Sequence, residues 1–125
     1  MQKIILVVED ERILRDIITK KLGSEGFEAH GAIDISEAER VLEHTQVDLI
    51  LLDLLLPGAE GYELLARIKN DPKRKDIPVI VFSNLSNEED KRRAFRAGAW
   101  DFLVKAEHTP DTIVHKVRKA LQQAS

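Results

Sequence analysis

The chain is predicted to be an α/β protein: one doubly wound, five-stranded parallel sheet with five helices. Three observations carry that prediction. Short apolar runs recur five times, each is followed by a segment with apolar residues at helical spacing, and no repeat, linker or low-complexity tract breaks the alternation. Strict alternation requires crossover connections, which lay helices on both faces of the sheet, so the strands read as continuous apolar runs.

The first strand is Lys3 to Val8, which ends abruptly at Glu9-Asp10-Glu11. From Arg12, the residues Ile13, Leu14, Ile17, Ile18 and Leu22 recur at helical spacing, and Gly23 and Gly26 mark the stop. Phe27 to Gly31 forms a short second strand. Asp34 caps the second helix with Glu37 as its capping-box partner, and Ile35, Ala38, Val41 and Leu42 make its apolar stripe. Val47 to Leu52 is the third strand, followed by Asp53 and a turn signal at Pro57-Gly58. Tyr62, Leu64, Leu65 and Ile68 face inward from a third helix that stops before Pro72.

Pro78 to Phe82 is the fourth strand, with Pro at the one position where no ladder donor is lost. Ser86 and Glu89 form a capping box for the fourth helix, whose first turn is acidic and whose end is set by Gly98. Trp100 to Val104 is the fifth strand. Thr109 caps the last helix, Pro110 occupies its first position, and Ile113, Val114, Val117, Ala120 and Leu121 form its stripe.

Composition narrows the function. At 125 residues the chain is expected to be one domain over residues 1–125, large enough to bury a core without a staple. It has no cysteine, which excludes thiolate metal sites and disulfides. A net charge of -3 argues against direct nucleic-acid binding. No apolar run reaches the ~18–20 residues of a membrane span and no signal peptide opens the chain, so a cytoplasmic protein without membrane insertion is expected. His30, His44, His108 and His115 show no metal-ligand spacing.

Right-handed crossovers place the carboxyl ends of all five strands along one edge, where such sheets hold their ligands. A common strand order for this architecture, 2-1-3-4-5, sets strands one and three side by side at the reversal point. At those ends stand Glu9 and Asp10, Asp53, Ser83 and Asn84, and Lys105. Taken alone, Asp53 reads as a strand-end cap. Three carboxylates together are another matter. Two unit charges ~4 Å apart repel by about 4 kcal/mol at an effective dielectric of 20, so such a cluster calls for a cation. Oxygen ligands favour a hard divalent ion, Mg²⁺ first with Mn²⁺ as an alternative, and a carboxylate facing a lysine and a hydroxyl suits attack on a phosphoryl group.

The motifs Val8-Glu9-Asp10-Glu11, Asp53-Leu54-Leu55-Leu56-Pro57-Gly58, Phe82-Ser83 and Gly98-Ala99-Trp100-Asp101-Phe102-Leu103-Val104-Lys105 together resemble the response-regulator receiver domain of two-component signalling, over essentially the whole chain. That family has a flavodoxin-like sheet. The resemblance implies Asp53 as phosphoacceptor, with Glu9, Asp10, Asp53 and the Leu55 carbonyl at the metal, Glu9 acting mainly through water. It implies Ser83, the Asn84 backbone and Lys105 as the phosphate-binding groups, and Ser83 and Phe102 as the switch pair, the ring moving inward when the hydroxyl is drawn to the phosphate. A sensor histidine kinase or phosphotransfer protein is the implied donor. The output is expected through a face built by helix four, strand five and helix five, carrying Trp100, Arg92, Arg93 and Arg96, toward an effector protein or a second copy on phosphorylation. For the arginines, an ordinary solvated helix surface is the competing reading.

Three departures from the family pattern shape the expected behaviour. Ala106 follows Lys105 where the family usually has a cis-proline, and since a cis bond without proline costs ~3 kcal/mol the conformation of this bond is left open by the sequence. Asn84 stands where a very small residue is usual. Leu55 and Leu85, two residues beyond Asp53 and Ser83, offer no group to orient water, which predicts slow self-dephosphorylation. The chain is thus read as a phosphoacceptor switch rather than an enzyme, and, ending at Ser125, as a stand-alone receiver. The rival reading is a receiver-like interaction module used without phosphorylation. Aspartyl phosphatases of the haloacid-dehalogenase type need a second acid where Leu55 stands. A flavin role fits poorly with an acidic first loop, and the P-loop pattern is absent.

Overall fold

A computed structural model describes residues 2–56 and 58–124. Five strands, β1 (Ile4–Val8), β2 (Glu28–Ala32), β3 (Leu49–Leu52), β4 (Val79–Ser83) and β5 (Asp101–Val104), form one parallel sheet in the order β2-β1-β3-β4-β5. The helices are α1 (Arg12–Ser24), α2 (Ile35–His44), α3 (Gly61–Asn70), α4 (Glu88–Arg96) and α5 (Pro110–Ala124). The doubly wound five-stranded fold predicted from the sequence is therefore the fold observed.

The register aligns Val8 with both Ala32 and Leu52, and Leu52 with Val81, so β1 and β3 finish at one level and β4 runs on past them to Ser83. Alternate residues of each strand point to opposite faces. Leu6, Val8, Ile50, Leu52, Val79 and Val81 pack beneath α2, α3 and α4, whereas Ile5, Val7, Leu49, Leu51, Ile80 and Phe82 pack against α1 and α5. Two cores, one on each face, hold the sheet rigid under the loops of its carboxyl edge.

Several helix ends follow their sequence signals. Asp34 accepts from the Glu37 amide at 2.8 Å, and the Glu37 carboxylate accepts in turn from the Ile33 amide at 2.9 Å. Thr109 and Thr112 exchange bonds across the first turn of α5. The cap of α4 is a correction: it is Asn87, accepting from the Asp90 amide at 2.8 Å, and not Ser86 with Glu89. Both adjacent residues can cap and each has an acid three positions on, so the motif alone does not choose. In α1, Ile18 and Leu22 are buried while Ile13 and Ile17 stand 71% and 46% exposed. The apolar residues form two neighbouring i,i+4 rows, and the sheet covers only one.

The Pro57-Gly58 turn falls partly outside the described residues, since Pro57 is not among them; Gly58 has φ +71°. A short antiparallel ribbon pairs Leu55–Leu56 with Ala59–Glu60, an element the sequence did not announce. Among the described residues no peptide bond is cis, so Lys105-Ala106 is trans, and Lys105 opens a 3₁₀ turn, Lys105–Glu107. Among the described residues, no helix is long and apolar enough to cross a membrane.

Candidate functional site

The carboxyl edge gathers the residues that the sequence placed there. β1 delivers Glu9 and Asp10, β3 delivers Asp53, β4 delivers Ser83, and β5 delivers Lys105. Glu9, Asp10 and Asp53 each offer a carboxylate oxygen within 4.8 Å of the others, so one ion can meet all three. Glu9 and Asp53 are buried and Asp10 is exposed, which leaves the cluster open on one side.

Burial alone makes this cluster unstable, because two enclosed carboxylates cannot both shed their water without a counter-charge. Lys105 supplies it. Its ammonium lies 2.9 Å from Asp53 Oδ2 and 2.5 Å from Glu9 Oε1. The approach to the enclosed Glu9 Oε1 is not aligned as a hydrogen bond, so that contact is an ion pair. Burial pushes the Glu9 carboxyl above the usual range, against the lowering effect of Lys105 and the Glu11 amide. For Lys105, burial pulls the ammonium down, but its pairing with Glu9 and Asp53 outweighs this and holds it above its ordinary value.

Asp53 is fixed at both oxygens: Oδ1 accepts from the Leu55 amide at 3.1 Å and Oδ2 from Lys105. Its backbone is fixed as well. The Asp53 amide donates to Val8 O at 3.0 Å, and the Gly61 amide donates to Leu54 O at 2.8 Å. A Cβ at Gly61 would stand 2.3 Å from Asp53 O, so the start of α3 approaches the Asp53 backbone as closely as only glycine permits. The donor set, three hard carboxylates with no sulfur or imidazole, fits a small divalent cation of the Mg²⁺ class.

The remaining expected residues fall as follows. Ser83 is fully buried at the end of β4, and its hydroxyl accepts from the Leu85 amide at 3.3 Å. Asn84 next to it is exposed. Phe102 is 8% exposed and already packs inward with Ala94, Ala99 and Val104, so this conformation has the ring inside. Leu55 is 53% exposed at the rim, while Leu85 is half-buried against the core. On α4, Arg92 and Arg96 both reach Glu89 of their own helix, and Trp100 is half-buried against the core beneath α1 and α5. Arg93 turns the other way and stacks over the Tyr62 ring at 3.8 Å, while the Tyr62 hydroxyl donates to Asp90 O.

Residues that sequence reasoning passed over also shape the edge. Arg15 bonds the Glu9 and Asp10 carbonyls, and Gly61 permits the close approach to Asp53. A glycine at the first position of a helix carries a faint sequence signal of a tight contact. Arg15 carried none, because its bonds go to backbone oxygens.

Comparison with known proteins agrees with this geometry. The family model described as the response regulator receiver domain matches residues 5–118. The phosphate regulon transcriptional regulatory protein PhoB of Escherichia coli is 34% identical over all 125 residues, which correspond to 54% of its own length, so the chain spans about half the length of that curated relative. Among solved structures, a putative response regulator from Chloroflexus aurantiacus superimposes with TM-score 0.90 at 28% identity, covering 98% of this chain and 99% of the other. A CheY-like response regulator receiver domain protein from Methanospirillum hungatei gives TM-score 0.91 at 27% identity, covering 99% and 97% respectively.

Proposed function

The chain belongs to the response regulator receiver domain family, and on that premise we propose that Asp53 is the residue that accepts a phosphoryl group from a phosphohistidine donor. One oxygen of the Asp53 carboxylate forms the new P–O bond as the P–N bond to the donor histidine breaks, and the imidazole nitrogen keeps the electron pair. The observation that supports this most is the placement of Lys105 between Glu9 and Asp53, at the mouth of a carboxylate cluster that one ion can span.

Each neighbour then has a task. Glu9, Asp10, Asp53 and the Leu55 carbonyl would hold Mg²⁺, or Mn²⁺ in its place, which when bound offsets the negative charge of the phosphoryl oxygens. Lys105 turns from Glu9 toward those oxygens, and the Ser83 hydroxyl and Asn84 amide serve them from the opposite strand. Glu9 holds Lys105 in readiness and touches the ion mainly through water. Ser83 and Phe102 make the switch pair, with the inward ring as the position that the phosphorylated state favours. The altered face is α4, β5 and α5, where Trp100, Arg92 and Arg96 would meet an effector protein or a second copy.

Leu55 and Leu85 flank the acyl phosphate without a group that orients water, so self-dephosphorylation is slow. The donor would be a sensor histidine kinase or phosphotransfer protein, and the setting cytoplasmic. The competing use, an interaction module that is never phosphorylated, leaves the buried Lys105–Asp53 pair without a task. Phosphotransfer profiling against the histidine kinases of the source organism, with and without Mg²⁺, tests the proposal. One kinase should transfer label rapidly and only with Mg²⁺, whereas transfer from none would contradict it.

A further inference from the structure

Arg15 lies beside the acid cluster and bonds the backbone that carries it. Its Nη1 donates to Glu9 O at 2.8 Å and to Asp10 O at 3.4 Å, gathering two consecutive carbonyls with one guanidinium nitrogen. The stem of the side chain runs across Gly31 of β2: a Cβ there would stand 2.9 Å from Arg15 Cδ and 3.1 Å from Cγ. The same segment is tied from its other side, with the Glu9 amide on Ala32 O at 2.9 Å and the Glu11 amide on Glu9 Oε2 at 3.1 Å. The backbone carrying Glu9 and Asp10 is therefore pinned between β2 and α1, with Arg15 as one of the pins.

Two effects of this arginine on a cation in the cluster have opposite signs. Its charge repels the cation. Its bonds fix the bend that presents Asp10, an exposed carboxylate whose placement depends on the backbone beneath it. The charge is directed at carbonyls on a half-exposed side chain, where water screens it. Groups that orient metal ligands typically contribute ~10–100-fold to metal affinity. We propose that Arg15 is a positioning residue for divalent-cation binding at Glu9, Asp10 and Asp53, and that Gly31 is bare of a side chain so that Arg15 can reach them. This inference rests on the metal reading above and adds to it a residue that touches no ion.

Calorimetric titration of the full unphosphorylated chain with MgCl₂ at constant ionic strength tests it, with thermal midpoints recorded alongside. Arg15→Ala should weaken Mg²⁺ binding by about tenfold. Gly31→Ala keeps the charge but displaces the guanidinium, and should weaken binding by a smaller factor. Arg15→Lys, which reaches one carbonyl, should fall between Arg15→Ala and the unchanged protein. If charge alone mattered, Arg15→Ala would bind more tightly and Gly31→Ala would bind normally, and either result overturns the proposal. Should Arg15→Ala fail to fold, Gly31→Ala decides the question. An unchanged protein that binds no Mg²⁺ overturns the metal reading itself and this inference with it.

Discussion

Two charge clusters in this molecule use nearly the same residue types and differ in one variable. At the sheet edge, Lys105, Asp53 and Glu9 have side chains only 12%, 4% and 2% exposed. On α4, Arg92, Arg96 and Glu89 are 63%, 64% and 69% exposed. Water solvates the second set whether or not it is paired, so the pairing there contributes little. The first set has lost its water, so each charge depends on the others, and removing or neutralising one changes all of them. A cluster of that kind is sensitive to any charge added beside it; a solvated helix face responds only through the position of the helix.

The sharpest way to break the comparison is Lys105→Ala. Removing one partner of a buried ion pair costs roughly 3–5 kcal/mol, and the residual exposure of Lys105 places it near the lower end, about 3 kcal/mol. Urea unfolding in metal-free buffer should show that loss, and a change below about 1 kcal/mol would mean that the edge cluster is solvated like the one on α4. Next is the pair Leu55→Asn with Leu85→Glu, which would give the acyl phosphate proposed at Asp53 polar neighbours. The phosphoryl lifetime should shorten about tenfold, equivalent to ~1.4 kcal/mol of barrier, when followed by decay of labelled protein after the donor is removed. An unchanged lifetime would remove the leucines from the account.

On the α4 side, effects should be smaller and local. Asn87→Ala removes the cap and should cost about 1 kcal/mol, whereas Ser86→Ala should cost almost nothing, which separates the two candidate caps in chemical unfolding. Glu89→Ala frees both Arg92 and Arg96 and should change stability by less than about 0.5 kcal/mol, an amount that vanishes in high salt.

The sequence carried the fold and the site unequally, for physical reasons. Strand runs such as Leu49–Leu52 and caps such as Asp34 act over a few residues, so they were legible. The edge cluster was legible because parallel topology delivers strand ends to one place whatever lies between them, which is how Glu9, Asp53 and Lys105 meet although they are far apart in the chain. What stayed hidden depends on contact rather than pattern. Ser86 and Asn87 are equivalent caps on paper. The two isoleucine positions of α1 look like part of its stripe until the sheet covers only the neighbouring row. Arg15 and Gly31 matter through one side chain lying on another residue's missing one, and Phe102 could be placed on β5 as a core residue, but pattern does not tell a plain core ring from a switch.

The central claim is that the buried carboxylate of Asp53, held by Lys105 and Leu55, is the group that takes the phosphoryl. Incubation with acetyl phosphate and Mg²⁺, followed by intact-mass measurement, tests it without any partner protein. The unchanged chain should gain one phosphoryl group that is lost in hydroxylamine, and Asp53→Asn should gain none. Equal labelling of both proteins, or labelling of neither, would contradict the account.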